Sequence, residues 1–223
     1  MIGGLRYLVN TIPELAYAVG IVSRFMERPT ILHQATAKRI LHYVKGTLEF
    51  SLMYLHNKEN EVLIGYSDSD LAGKVEDKRS TGGMVFYLNN SLIMWASQKQ
   101  RCVALSSCEA EFMDVTAAAC QAIWLKRLLS RIAKINFGPV TLFIDNQSAI
   151  DLAKNPVVHG RSKHIDIGYH YICECVENGE IEVKHVRTEE QRADSLTKPL
   201  VAVKFEFMRN LLGVTNCAQT CSN

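Results

Sequence analysis

With 223 residues, 48% of them hydrophobic and 22% charged, the chain can bury the core of one large domain, or of one domain and part of a second, which excludes a disordered or fibrous class. A formal net charge of +2 is too small to hold a polyanion by overall field, so any nucleic-acid footprint has to be local. No apolar run reaches the roughly 18 residues of a membrane span and no basic-then-apolar leader opens the chain, so neither a membrane protein nor a secreted one is expected.

In chain order, residues 1–47 read as helical. Thr11-Ile-Pro-Glu14 offers a cap, a proline for the first turn and an early acid. Leu15, Val19, Val22 and Met26 follow at helical spacing until Pro29. A second helix is predicted over Ile31–Lys45, ended by Gly46. Phe50, Leu52 and Tyr54 then alternate like a strand. The polar stretch His56-Asn-Lys-Glu-Asn60 is the best domain boundary. Beyond it, Val62–Tyr66, Gly83–Leu88 and Ser91–Trp95 read as strands, the last two joined by the hairpin signal Asn89-Asn90. A long helix is predicted from Ser106, with Glu109 completing a capping box, to Leu129. Val140–Ile144 reads as a buried strand, Asn146–Ala153 as the helix after it, Ile165–Glu177 as a helix weakened by Gly168, and Ile181–Val186 as a strand. Thr188 with Gln191 resembles a second capping box, placing Asp194 about two turns into a new helix. Phe205–Leu212 is a last amphipathic piece, and the tail from Thr215 reads as loose. A three-strand meander followed by helix–strand units predicts an α/β domain with a mixed five-stranded sheet and helices packed on it. The seven cysteines are odd in number and hold no Cys-x-x-Cys, so reduced, buried thiols are expected. Trp95 and Trp124 are expected in the core.

Four carboxylates occupy comparable places in this pattern. At roughly 100° per residue, Glu111 lines up with Val115, Ala118, Ala122, Leu125 and Leu129, an apolar stripe. Glu109 points away, with Thr116, Cys120 and Arg127, and has capping to do. A carboxylate at the end of a buried stripe is costly unless a cation or a proton meets it. Asp68 ends one strand, with Asp70 as competitor, Asp145 ends another, and Asp194 follows the last. Each has a bland reading alone: a turn residue, a helix cap, a solvated helix acid. Together at strand ends, where ligand sites gather, they would repel one another unless divalent cations neutralised them. Hard carboxylates suit Mg²⁺, and two such ions about 4 Å apart can activate a water and stabilise the leaving oxygen of a phosphodiester.

Six runs sharpen this reading: Tyr66-Ser-Asp-Ser-Asp-Leu-Ala-Gly73, Lys78-Arg-Ser-Thr-Gly82, Val103-Ala-Leu-Ser-Ser-Cys-Glu-Ala-Glu-Phe112, Asp145-Asn-Gln-Ser-Ala149, Lys163-His-Ile-Asp166 and Glu190-Gln-Arg-Ala-Asp194. They resemble the ribonuclease H domain of copia-type LTR retrotransposon Pol polyproteins. Leu5-Arg-Tyr-Leu8, Ala16-Tyr-Ala-Val19, Ser23-Arg-Phe25 and Tyr43-Val-Lys-Gly-Thr47 resemble the segment after the polymerase palm in the same polyproteins. The resemblance implies a ribonuclease H-like mixed five-stranded sheet flanked by helices and preceded by a small helical segment. Residues 1–56 would end the reverse transcriptase/connection segment, 57–200 form the ribonuclease H-like domain, and 201–223 the C-terminal helix and loose tail. The family's acid order of Asp, Glu, Asp, Asp transfers to Asp68, Glu111, Asp145 and Asp194 as catalytic and metal-binding residues. Asp145 and Asp68 would serve both of two Mg²⁺ ions (or Mn²⁺), Glu111 one and Asp194 the other. The implied reaction is hydrolysis of the RNA strand of an RNA–DNA hybrid, leaving a 3′-hydroxyl and a 5′-phosphate. The implied partners are that hybrid and the upstream reverse transcriptase segment, with no membrane, in a cytoplasmic virus-like particle. Cellular ribonucleases H usually carry a histidine between the last strand and the final acid, and Val186-Arg-Thr-Glu-Glu-Gln-Arg-Ala193 holds none. Gly168 stands where a larger residue is usual.

Such hybrids are read through backbone shape and 2′-hydroxyls. The candidate contacts are Arg79, Asn146, Gln147 and, from the basic run His159-Gly-Arg-Ser-Lys-His164, Arg161, Lys163 and His164. The alternative is a non-catalytic, hybrid-binding or structural remnant of a degenerate Pol polyprotein. An integrase-like reading is disfavoured, because the helix after Asp145 carries Asp151 and no glutamate.

Overall fold

The computed structural model describes residues 1–54, 61–71, 78–154 and 163–217, with the backbone alone for 163–167 and 169. The N-terminal segment folds as α1 (Ile2–Leu8), a 3₁₀ turn opened by Pro13 (Pro13–Leu15), α2 (Ala16–Ser23) and α3 (Ile31–Gly46). α2 ends at Ser23 rather than Met26; the Ser23 hydroxyl donates to the Val19 carbonyl, a local bond that competes with continued helix. Thr30 and His33 cap α3, the His33 ring accepting from the Thr30 N–H at 3.0 Å. Leu5, Leu15, Val19, Val22, Ala37 and Ile40 bury together as a core of their own. Glu14 is buried beside it, accepting from the Tyr43 hydroxyl at 3.0 Å, and burial raises its pKa. β1 (Phe50–Leu52) follows. The expected boundary at residues 56–60 lies outside the described residues.

The main body then runs β2 (Leu63–Asp70), β3 (Thr81–Leu88), β4 (Ser91–Lys99), α4 (Ser107–Ala133), β5 (Val140–Ile144), α5 (Gln147–Lys154), α6 (Lys163–Glu177) and β6 (Ile181–His185). Two 3₁₀ turns, Thr188–Glu190 and Arg192–Leu196, lead to α7 (Ala202–Leu211) and β7 (Val214–Asn216). The five-stranded sheet has the order β4-β3-β2-β5-β6, with β3 antiparallel to β2 and β4, and β5 parallel to β2 and β6. This is the mixed sheet with flanking helices that the ribonuclease H-like reading expects. The stripe of α4 packs on one face: Val115, Ala118, Ala122 and Leu125 bury against Phe86, Leu142, Ile144 and Ile172. α6 crosses α4 at Gly168, where a Cβ would come within 2.9 Å of the Thr116 methyl. The glycine that weakens α6 as an isolated helix is what lets the two helices approach.

Five expectations are corrected. The tail is not loose from Thr215: β7 pairs antiparallel with β1, Phe50 opposite Asn216 and Leu52 opposite Val214. Gly213, at φ +87, turns the chain so that Val214 is buried. Asp194 lies in the Arg192–Leu196 3₁₀ turn, not an α-helix; Gln191 caps that turn, accepting from the Ala193 N–H, instead of closing a box with Thr188. Trp124 is 55% exposed and Cys120 is also exposed, because both lie outside the buried stripe of α4. Trp95 is half-buried, its indole N–H donating to the Val9 carbonyl at 2.8 Å, which fastens the N-terminal segment to β4. Cys173 and Cys175 are buried free thiols. Among the described residues, no helix is long and apolar enough to cross a membrane.

Candidate active site

β2 and β5 are parallel neighbours, so their C-terminal ends deliver side chains to one place. Asp68 lies inside β2 rather than at its end, opposite Gly83, because pairing with β3 continues to Asp70. Asp145 follows the last residue of β5. The Arg192–Leu196 turn brings in Asp194, pinned to β2 by Gln191, whose amide donates to the Ser67 carbonyl at 2.9 Å. One carboxylate oxygen from each of Asp68, Asp145 and Asp194 lies within 4.8 Å of the other two. Asp68 is 2% exposed and Asp194 0%, whereas Asp70 is only half-buried and stands outside this group.

Glu111 approaches from α4. It is 7% exposed, and its Oε2 has no hydrogen-bond partner among the described residues. Burial, then the charges of Asp68, Asp145 and Asp114, push its carboxyl up to about 9. Glu109 does what the helical phase assigned to it: its carboxylate accepts from the Leu105 N–H at 2.6 Å while its own N–H donates to Ser106 Oγ at 3.1 Å. Asp68 is pushed up to about 7, by burial first; Lys198 and the Thr197 hydroxyl oppose the shift, and Asp194 and Asp145 add to it. The Thr197 hydroxyl donates to Asp68 Oδ2.

Two lysines that sequence reasoning missed complete the site. Lys198 Nζ lies 2.7 Å from Asp194 Oδ1, off that oxygen's hydrogen-bonding direction, and 3.8 Å from Asp68 Oδ2. Lys204, on α7, donates to Asp194 Oδ2 at 2.6 Å. Burial works against the Lys198 ammonium, but Asp68 and Asp194 outweigh it and its pKa is raised. Lys198 stands four residues after Asp194, a spacing that could have flagged it; Lys204 is brought in only by the tertiary fold. A fifth acid was also missed. Asp114 is buried one turn from Glu111, on the same helix face. Burial pushes its carboxyl up to about 7, although hydrogen bonds from Gln100 and Ser69 oppose the shift. Gln100 Nε2 bridges Asp114 Oδ2 at 2.7 Å and the Ala110 carbonyl at 2.8 Å. Gly82 is the position facing Asp114, where any Cβ would collide with the carboxylate.

Whether these residues fit a metal can be judged from the donors themselves. They are hard oxygens, they converge, Glu111 keeps an orphaned buried oxygen, and Glu111 and Asp68 hold protons well above the usual carboxylate range. The two ammonium groups face Asp194 and Asp68, which leaves Asp145 and Glu111 to a cation whose charge would displace the held protons. The set is compatible with divalent metal binding.

The expected substrate contacts fare differently. Asn146 is spent on capping α5, its Oδ1 accepting from the Ala149 N–H at 3.1 Å, which frees Asp145 from that duty. Gln147 is exposed beside the acids and donates to Asp151 at 2.8 Å. Arg79 is exposed just before β3. Arg161 and the side chains of Lys163 and His164 lie outside what the structure describes. Thr188 Oγ1 donates to Asp145 Oδ2 at 3.3 Å, a contact the sequence did not suggest.

No protein-family model matches the chain. Over 214 residues, 96% of its length, it is 40% identical to the retrovirus-related Pol polyprotein from transposon TNT 1-94 of Nicotiana tabacum. Over 221 residues, 99% of its length, it is 38% identical to the corresponding polyprotein from transposon RE2 of Arabidopsis thaliana. The chain belongs to the Pol polyprotein family of copia-type retrotransposons. This Pol chain spans 16% and 15% of the lengths of those two relatives. Among solved structures, a ribonuclease H1 from the halophilic archaeon Halobacterium salinarum NRC-1 aligns with 60% of the Pol chain and 93% of its own, at 15% identity and a TM-score of 0.44. The ribonuclease H-like assignment of the Pol chain stands on its strand order and pairing.

Proposed function

We propose that this Pol segment is a metal-dependent endonuclease that hydrolyses the RNA strand of RNA–DNA hybrids during reverse transcription of its element. The observation that carries the reading is the meeting of Asp68, Asp145 and Asp194 within 4.8 Å, with the orphaned buried oxygen of Glu111 among their charges. Asp68 and Asp145 would be the shared ligands of two Mg²⁺ or Mn²⁺ ions, with Glu111 on one and Asp194 on the other. Bound ions supply an activated water and charge stabilisation for phosphodiester hydrolysis. The rest of the work falls to the chain. The Thr197 hydroxyl and Gln191 amide fix Asp68 and the Asp194 turn, and Lys198 and Lys204 hold the Asp194 carboxylate in place. Arg79 and Gln147, with Arg161, Lys163 and His164, would meet the backbone of the hybrid, and Asn146 would do so through its amide N–H, its Oδ1 being held by the α5 cap. Within the Pol polyprotein, residues 1–56 would continue the upstream reverse transcriptase segment and residues 57–200 would be the nuclease domain, acting in a cytoplasmic particle.

A labelled RNA–DNA hybrid incubated with the protein and Mg²⁺, with and without chelator, tests this. Cleavage of the RNA strand in Mg²⁺, abolished by chelator, is expected; an intact RNA strand at every metal concentration overturns it. One observation favours the second reading, a non-catalytic hybrid-binding remnant: both oxygens of Asp194 already face an ammonium group. Hybrid bound and never cut would decide for that reading.

A further inference from the structure

The N-terminal helices form one wall of a groove whose other wall is β4, an edge strand of the main sheet. Arg6 and Asn10 in and just beyond α1, Ser23 and Arg24 at the end of α2, and Gln98 and Lys99 at the end of β4 line a cavity of 480 Å³. Three of these six are cations, the others are neutral hydrogen-bonding groups, and among the described residues no carboxylate lines the cavity. This is a concentrated positive site in a chain whose net charge is only +2. Its walls are fixed: Trp95 donates to the Val9 carbonyl, and Ser97 Oγ donates to the Leu196 carbonyl at 2.6 Å. The second of these bonds ties the groove to the turn that carries Asp194.

The groove also borders the strands that carry the acids. Arg24 Nη2 donates to Thr81 Oγ1 at 3.2 Å, and Thr81 is the cross-strand partner of Asp70, two residues from Asp68. α2 reaches the same region, since Tyr17 and Ala18 share a second cavity with Lys198. In the sheet order, β4 stands two strands from β2, a distance of roughly 10 Å. A duplex whose RNA strand lies at the acids is wide enough for its backbone to reach β4.

We propose that this groove is a second phosphodiester-backbone site, in which Arg6, Arg24 and Lys99 hold the hybrid where it leaves the acid cluster. The inference rests on the hybrid reading above. It assigns the N-terminal segment a part in substrate binding, separate from the candidates around Arg79, Asn146 and residues 161–164. Guanidinium forks match phosphate oxygens in pairs, and contacts of this kind carry affinity without sequence preference.

The test uses the whole chain and two labelled hybrids, one just long enough to cover the acid cluster and one long enough to enter the groove. Binding is titrated in chelator across a salt series, and cleavage is measured separately in Mg²⁺. In the double variant Arg6→Gln/Lys99→Gln, the long hybrid should bind more weakly. Its log affinity against log salt should be shallower by about 0.9 for each phosphate no longer neutralised. The short hybrid should bind and be cleaved as by the parent chain. The charge-conserving pair Arg6→Lys/Lys99→Arg should restore the slope. A long-hybrid slope unchanged in the double variant overturns the groove even if cleavage is normal. A slope that responds while neither hybrid is ever cut leaves the groove standing and removes the nuclease reading.

Discussion

Asp194 has no exposed surface and faces two ammonium groups, whereas Asp145 is half-buried and hydrogen-bonded by Thr188 alone among the described residues. That difference makes Asp145 the cleaner residue to change. Asp145→Asn should abolish hybrid cleavage while leaving the melting curve near that of the parent, because it removes charge from a crowded acidic cluster. Retained cleavage would reject the metal assignment, and a stability loss beyond about 2 kcal/mol would mark the residue as a structural cap. Glu111→Gln and Glu109→Gln should separate: the first removes activity, the second costs at most about 1 kcal/mol of helix-cap stability, as read by paired cleavage assays and melts. The raised carboxyls also predict a pH dependence. Folded Glu111 and Asp68 keep protons, with pKa values near 9 and 7, that the unfolded chain gives up near its ordinary values of 4.5 and 3.8. Their contribution to stability is therefore fully present below those ordinary values and is lost as pH rises towards the folded ones. In chelator, the melting temperature should fall between about pH 5 and 9, and Glu111→Gln should flatten the upper part of that fall; a melting temperature rising across this window would contradict the assignment.

At the level of elements, the crossing of α4 and α6 sets two effects against each other. Gly168→Ala gains about 1 kcal/mol of helix propensity, but its Cβ would press on the Thr116 methyl at 2.9 Å, and overpacking costs about 1–3 kcal/mol. The single change should be neutral to destabilising, and the same change in a Thr116→Ala background should be stabilising. Additive effects in that double-mutant cycle, measured by denaturant unfolding, would mean the helices do not meet there. The glycine shows where sequence reading stops. Periodicity exposed nearly every helix and strand, including the phase that turns Glu111 inward and Glu109 outward, because burial on one face leaves its period in the residues. It could not show that Gly168 fits a close crossing, since that is a property of two elements. The same limit explains the 3₁₀ turn at Asp194, held by the Gln191 bond to Ser67, and Lys204, which reaches the site from α7. Asp114 was within reach of the helical phase, one turn from Glu111, but a buried acid hydrogen-bonded by Gln100 leaves no motif behind.

Across the whole molecule, the N-terminal segment is more than an adjoining piece. Trp95 is bonded to Val9, β1 is paired with β7, and Arg24 donates to the Thr81 hydroxyl at 3.2 Å. A chain of residues 57–217 should therefore melt lower than the full chain and self-associate with rising concentration, because it leaves β7 unpaired and β4 uncovered. Calorimetry and sedimentation would check this, and an equally stable monomer would show that the segment adds nothing to the fold. The β1–β7 ladder also sets a clock on synthesis. When β1 leaves the ribosome its partner is still roughly 160 residues behind, on the order of ten seconds at ordinary elongation rates. Until then the three N-terminal helices can bury their own core, but β1 has a bare edge and the ordering cost of so long a loop is still to be met. The three helices and β1 are thus completed only by a strand made some 160 residues later, and a ribosome that stalls in between leaves an open strand edge in the cell.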